Sequence, residues 1–190
     1  MIRCNNDNKN LVKNICKIGD EVNGTYELVG EKVEVMLMDS KNVKEEMNID
    51  DEFEYEFIDA ICNFKDKTIG SYITSHYFNL VPAVANAAMK IYEDNSNTRR
   101  AVISFPKEHC FQSIQFLVRE NTINIVCFMR SCNAIKNLPY DIWICYKLAD
   151  MFKHYIETMF DIHVYNKYKL TMMIGSLHVF MEDENVLWNA

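Results

Sequence analysis

The sequence predicts an α+β fold: one mixed, mainly antiparallel sheet with helices packed on one face. Segments rich in β-branched and apolar residues alternate along the second half of the chain, as strands do. Long stretches with a helical apolar period are interspersed among them, so helices and strands must share one body. With only five Gly and three Pro in 190 residues, there are no long linkers, and a single domain spanning residues 1–190 follows. Helices on one face leave the other to be buried, and a second subunit is the expected cover.

Taken in order, TYELVGEKVEVMLM over residues 25–38 alternates around Gly30 and reads as a hairpin. Asp50-Asp51-Glu52 caps a helix that sets Phe53, Phe57, Ile61 and Phe64 on one side. A longer helix runs from His76 to Glu93, with Leu80, Val84, Ala87 and Ile91 sharing a face, and Asn95-Ser96-Asn97-Thr98 breaks it. Strands follow at Arg100–Phe105, Gln112–Arg119 and Thr122–Arg130, the last two joined by a tight turn at Glu120-Asn121. Leu138 to Phe160 is helical, with Pro139 in the first turn, where its missing N–H costs nothing. Leu170–Met181 closes the sheet.

The net charge of −7 argues against a protein that coats nucleic acid. It leaves room for a small anion held by a few local arginines. No apolar run reaches the length of a membrane span, and the N-terminus has no signal-peptide core. The seven cysteines are irregularly spaced without a CxxC pair, which speaks against a zinc site or a disulfide frame and for a reducing cytoplasm.

Cys110 stands out because it follows a turn at Pro106, precedes a strand and has Lys107 and His109 beside it. Nearby cations favour a thiolate. Arg130-Ser131 ends an apolar strand, and a guanidinium beside a hydroxyl suits a phosphate. Arg99-Arg100 either holds an anion or interacts with the C-terminus of the preceding helix. Asp141 either charges the first turn of its helix or presents a carboxyl to a ligand.

In order and spacing, these residues resemble the thymidylate synthase family, including its pyrimidine hydroxymethylase branch. The matches are Thr98-Arg99-Arg100, then Cys110 five residues ahead of Gln115-Phe116, then Arg130-Ser131-Cys132-Asn133. Leu138-Pro139-Tyr140-Asp141 and Gly175-Ser176-Leu177-His178-Val179-Phe180 complete the set. Asn23-Gly24-Thr25 and Gly70-Ser71-Tyr72 extend it more weakly upstream. The resemblance implies a homodimer with one sheet face at the interface, and a pyrimidine nucleotide 5′-monophosphate as substrate.

Within that family frame Cys110 is the thiolate that adds to C6 of the base, activating C5 toward a one-carbon electrophile. Arg130 and Ser131 hold the 5′-phosphate, with Arg99 and Arg100 reaching it from the partner subunit. His178 contacts the sugar, Tyr72 lines the site, and Gln115 and Asp141 contact the base. Glu56 aligns with the general acid/base carboxylate, its other reading being a solvated helix-face charge. An amide at position 141 would suit uracil, whereas a carboxyl suits the N4 donor and N3 acceptor of cytosine.

The function implied is therefore C5 transfer to a pyrimidine nucleotide, with (d)CMP hydroxymethylation leading. Thymidylate synthesis on dUMP and a non-catalytic nucleotide-binding relative are the alternatives. The carbon donor implied is 5,10-methylenetetrahydrofolate, with Asn133 in the position of a pterin-binding aspartate. Phe180 stands for a sugar-binding tyrosine, Phe111 for a histidine, and Val22-Asn23-Gly24 for an arginine-containing loop. The chain ends soon after the last motif, as expected either of a compact branch with a rearranged cofactor site or of a nucleotide-binding relative without turnover.

Overall fold

The computed structural model describes residues 6–63, 68–69, 72–73 and 80–183. Six strands form one sheet in the order β1-β2-β8-β7-β6-β5. The strands are β1 (Asp20–Val22), β2 (Thr25–Met38), β5 (Val102–Ser104), β6 (Phe111–Arg119), β7 (Thr122–Asn133) and β8 (Tyr168–Phe180). All neighbours are antiparallel except β7 and β8. A parallel pair needs a long crossover, and α5 (Leu138–Phe160) supplies it. A separate two-stranded pairing joins β3 (Thr68–Ile69) to β4 (Tyr72–Ile73).

The expected α5 is found at its expected bounds. Its C-terminus is set by Asp161, which turns into the left-handed region at φ 53°. Eleven of its residues are buried, which fits a helix packed on the sheet beneath it and on other helices above. Phe116 of β6 stacks on Phe152 at 4.5 Å between ring centroids, and the Tyr146 hydroxyl donates to the Tyr168 carbonyl at 3.1 Å.

Helix α3 (Asp51–Asn63) begins where Asp50 Oδ1 accepts the Phe53 N–H at 2.6 Å. Phe53, Phe57 and Ile61 are buried as expected; Phe64 lies outside the described residues. Helix α4 (Leu80–Asp94) buries Leu80, Val84, Ala87 and Ile91, and the expected start at His76 falls outside the described residues.

The expected hairpin around Gly30 is not formed. β2 is one continuous strand of 14 residues, and the hairpin turn lies earlier, at Asn23-Gly24 between β1 and β2. Gly30 sits inside β2 at φ +73°, a conformation that glycine adopts without steric cost. It bends the strand instead of reversing it. Two helices also lack a sequence forecast: α1 (Asn6–Ile18), which buries Val12 and Ile15, and α2 (Ser40–Glu46), capped by Asp39 accepting from Asn42 N–H at 2.8 Å.

The sheet breaks along one row. Phe111 pairs with Met129, Met129 with Ile174, and Ile174 with Glu31. The next row holds Cys110, Arg130, Gly175 and Gly30. Arg130 N–H donates to the Cys110 carbonyl at 2.7 Å, while Gly175 and Gly30 lie between the paired residues on either side of them. At this row the buried positions change parity on β7 and β8, where Met129 gives way to Cys132 and Ile174 to Leu177. On β6 the change from Phe111 to Ile114 lies on the other side of the Phe111–Met129 pair, at a bulge around Gln112 opposite Phe128. A Cβ on Gly175 would lie 2.7 Å from the Arg130 carbonyl oxygen, so β7 and β8 approach here as only glycine allows.

Candidate functional site

Cys110 lies in the short loop before β6. That loop is closed by His109 N–H donating to the Pro106 carbonyl at 3.0 Å and by Phe105 N–H donating to the Gln112 carbonyl at 3.1 Å. The thiol is exposed, and its Sγ lies 3.6 Å from Ser131 Oγ. His109 is a neighbour in sequence, yet its ring is buried beside Phe105 at 6.0 Å between centroids. Arg130 is exposed, and its guanidinium reaches across the loop to the Glu108 carbonyl at 3.4 Å. Thiol and hydroxyl thus meet at the broken row, and the arginine that precedes the hydroxyl spans the same loop.

Asp141 is buried, with 4% of its surface exposed, in the first turn of α5. Cys132, equally buried, donates its S–H to Asp141 Oδ2 at 3.2 Å. Burial first, and then the Asp141 charge, push the Cys132 thiol well above its ordinary range. Cys110 and Cys145 act on it in the same direction, which places the exposed thiol within electrostatic reach of this pair. Burial likewise pushes up Cys127, with a hydrogen bond to Cys145 second. Cys132 and Cys127 stay protonated, so among the sulfurs gathered here the exposed Cys110 is the one suited to react.

Asn133 has its side chain committed. Its Oδ1 accepts from the N–H groups of Ile135 and Lys136 at 2.9 and 2.7 Å, capping the turn that leads into α5. Its Nδ2 is buried without a hydrogen-bond partner. The amide therefore offers a donor where the resemblance implies a carboxylate acceptor. His178 pairs in register with Asn133, and its ring meets Phe180 edge-on at 5.5 Å. Three rows separate it from Arg130, roughly 10 Å along the strand.

Two expectations are placed differently. Gln115 lies between the core-facing Ile114 and Phe116, on the sheet face away from α5. Its amide donates to the Arg99 carbonyl at 2.7 Å, which steadies the arginine segment. Arg100 is engaged within its own chain, where Nε donates to Asp94 Oδ2 at 2.7 Å and a second nitrogen to Oδ1. Arg100 and then Thr98 hold the Asp94 carboxyl below its usual range. The reading of this pair as a partner for the helix end therefore holds for Arg100 through Asp94, the last residue of α4. Arg99 has an exposed side chain and forms no ion pair among the described residues.

Glu56 is half-buried, one turn after Phe53. Phe53 packs on Tyr140 at 4.4 Å and on Trp143 at 5.6 Å, so α3 brings Glu56 to the end of α5 that carries Asp141. Tyr72 belongs to β4, and its side chain lies outside the described residues.

One residue of the site, and one ion-paired carboxylate outside it, carried no sequence forecast. Cys132 stands inside the Arg130–Asn133 motif but has no role until α5 folds Asp141 onto it. Glu54 accepts from Lys44 and Lys147, both at 2.6 Å, in a cleft of about 430 Å³ between α2, α3 and α5. That cleft does not include Cys110. Among the described residues no group of His, Cys, Asp and Glu could hold a metal ion, and no helix is long and apolar enough to cross a membrane.

No protein-family model and no curated protein sequence matches this chain. Among solved structures, the thermostable thymidylate synthase A from Bacillus subtilis matches with a TM-score of 0.58 at 12% identity, over 96% of this chain and 81% of that one. The two share a thymidylate synthase-like fold.

Proposed function

We propose that this protein is a one-carbon transferase acting at C5 of a pyrimidine nucleotide 5′-monophosphate, with a cytosine nucleotide as its substrate. The observation that carries the reading is the broken row, which sets the exposed Cys110 thiol 3.6 Å from the Ser131 hydroxyl and beside Arg130. The buried Asp141 stands on the helix behind it.

The Cys110 sulfur forms a bond to C6, and the C5–C6 π pair shifts toward C4, making C5 nucleophilic. C5 then takes a one-carbon electrophile, its proton leaves to a base, and elimination restores the C5–C6 double bond and frees the thiolate. Glu56, at the Asp141 end of α5, is the carboxyl proposed to move that proton. Arg130 and Ser131 bind the phosphate, His178 the sugar and Asp141 the base. Gln115 serves by holding Arg99.

Methylenetetrahydrofolate is the donor that the resemblance implies, and it would supply the electrophilic carbon. Asn133 does not fit that group as an aspartate would, because its oxygen is already held by Ile135 and Lys136.

The dimer is proposed on the sheet face away from α5. Phe128 and Met173 are paired neighbours there and stand 46% and 38% exposed, with Val102 exposed on the edge strand β5. Apolar side chains so placed are a natural interface core. In such a dimer Arg99 reaches the partner's phosphate, whereas Arg100 would first have to leave Asp94.

Release of tritium from [5-³H]dCMP tests the reaction. Release that vanishes in Cys110→Ala supports it. A reduced wild-type chain that releases none from dCMP, CMP or dUMP while still binding them would leave the second reading, a nucleotide-binding protein without turnover. The engaged oxygen of Asn133 favours that second reading.

A further inference from the structure

The cleft between α2, α3 and α5 has hydrogen-bond donors and acceptors that do not balance. Its volume of about 430 Å³ falls in the usual range for small-molecule pockets. Glu54 is bonded twice there, Oε2 accepting from Lys44 and Oε1 from Lys147, both at 2.6 Å. An ammonium carries three N–H donors. Lys147 gives one of them to Glu54, while Lys44 gives one to Glu54 and one to Asp51. Two donors on Lys147 and one on Lys44 are left over among the described residues. Trp143 also lines the cleft, and its buried Nε1 has no hydrogen-bond partner.

Charge points the same way once burial is weighed. Taken whole the lining is neutral, with Lys41, Lys44 and Lys147 against Glu45, Asp51 and Glu54. The side chains of Lys44, Lys147 and Glu54 are only 21–23% exposed, whereas that of Asp51 is 96% exposed and Glu45 is open to water as well. Carboxylates so exposed are screened and contribute little. The sheltered part of the cleft therefore holds two positive charges and one negative.

We propose that this cleft binds the phosphate group of a small organic phosphate between the Lys44 and Lys147 ammoniums. Both ammoniums are bonded to oxygens of one carboxylate, so they stand close enough for a single phosphate to bridge them. Its oxygens accept the spare N–H donors, and Lys44 exchanges the exposed Asp51 for the ligand. Ile49 and Trp143 offer apolar surface to the body that carries the phosphate. A cationic ligand has no comparable place, because both oxygens of the sheltered carboxylate are taken. This site is separate from the Cys110 site and does not depend on the nucleotide reading.

Titration of the ¹⁵N-labelled full chain with phenyl phosphate, followed at the Trp143 indole N–H, tests it. The chain has two tryptophans, and Trp188→Phe assigns the signal. The Trp143 signal should move and saturate, whereas sodium chloride at equal ionic strength should produce no saturable movement. Lys147→Met should weaken binding by about tenfold or more, the worth of a charge-assisted hydrogen bond. Lys147→Arg, which keeps the charge and the donors, should stay within about threefold of wild type. Arg130→Ala, which removes the guanidinium beside Cys110, should leave the titration unchanged. Should Lys147→Met fail to fold, Lys44→Met carries the same expectation. No saturable movement in the wild type would overturn the proposal. A movement that survives Lys147→Met and disappears in Arg130→Ala would overturn it too, because the anion would then sit at the other site.

Discussion

Replacing Gly175 by alanine tests whether the broken row sets the site. The added Cβ would meet the Arg130 carbonyl oxygen at 2.7 Å, about half an ångström inside an ordinary carbon–oxygen contact. Nothing at that point is a flexible side-chain end, so a strand must move. If β7 yields, the 2.7 Å bond from Arg130 N–H to the Cys110 carbonyl stretches toward the limit of a useful hydrogen bond. Overpacking of this kind costs about 1–3 kcal/mol. With a urea slope near 2 kcal/mol per molar, the unfolding midpoint should fall by about 0.5–1.5 M.

Gly30→Ala is the matched control in the same row. No atom lies within 4 Å of its Cβ, but its φ is +73°, so its cost of about 1–2 kcal/mol is backbone strain alone. It should leave the Cys110–Arg130 contact intact. Urea titration combined with alkylation rates at Cys110 reads both effects. Gly175→Ala should change the Cys110 rate and Gly30→Ala should not. A Gly175→Ala protein with the wild-type midpoint and the wild-type Cys110 rate would refute the account of the row.

Other outcomes follow from the same geometry. Iodoacetamide on the native chain should label the exposed Cys62 and Cys110 and spare Cys127, Cys132 and Cys145; adding dCMP should protect Cys110 and not Cys62, read by peptide mass spectrometry. Burial alone would raise Glu54, but hydrogen bonds from Lys147 and Lys44 overcome it and hold the carboxyl below its usual value. The stability it contributes is therefore present above about pH 4.3 and lost as pH falls through its lowered folded value. Glu54→Gln should cost about 1–2 kcal/mol near pH 7, and its gap from wild type should close on acidification, as measured by urea titration across pH 3–7. Arg100→Ala should lower the melting temperature by freeing the end of α4 from its arginine. Arg99→Ala should leave melting unchanged but weaken dCMP binding, and mixing it with an Arg130→Ala chain should restore one intact site per heterodimer.

The parts of the fold legible in the sequence are those where periodicity and punctuation agree. α5 has a strong apolar repeat with Pro139 at its start, and β6 and β7 are separated by Glu120-Asn121, both at positive φ as a tight turn requires. α1 was hidden because its buried stripe is thin, Val12 and Ile15 among asparagines and lysines that favour no core. Gly30 misled because a glycine between alternating runs marks a turn or a bulge equally well, and only the pairing of β2 along all of β8 decides between them. In the site, residue types were legible but partners were not. Gln115 and Arg99 are 16 residues apart, and Cys132 and Asp141 are 9 apart across a strand–helix turn. Asp94 is nearer in sequence, six residues before Arg100.

That the candidate site lies where the sheet breaks has a physical cause. An unbroken antiparallel ladder alternates its side chains strictly, one face for the core and one outward. Such a strand has no position that is half in and half out. A break on one strand alone would leave its neighbours facing the wrong way, with apolar groups turned to water on one side of the pair. Here β7 and β8 change parity at the same level, and β6 makes its own change at the bulge around Gln112, so the core stays continuous on both sides of the row. The residues at the row are freed from the alternation: Cys110 is exposed, Ser131 and Ser176 are half-buried, and Cys132 turns inward to meet Asp141. The two glycines make this arrangement possible, Gly175 by having no Cβ and Gly30 by tolerating its φ. An exposed thiol at the start of β6 and a buried thiol on β7, which meets the Asp141 carboxyl of α5, can then belong to neighbouring strands of one sheet.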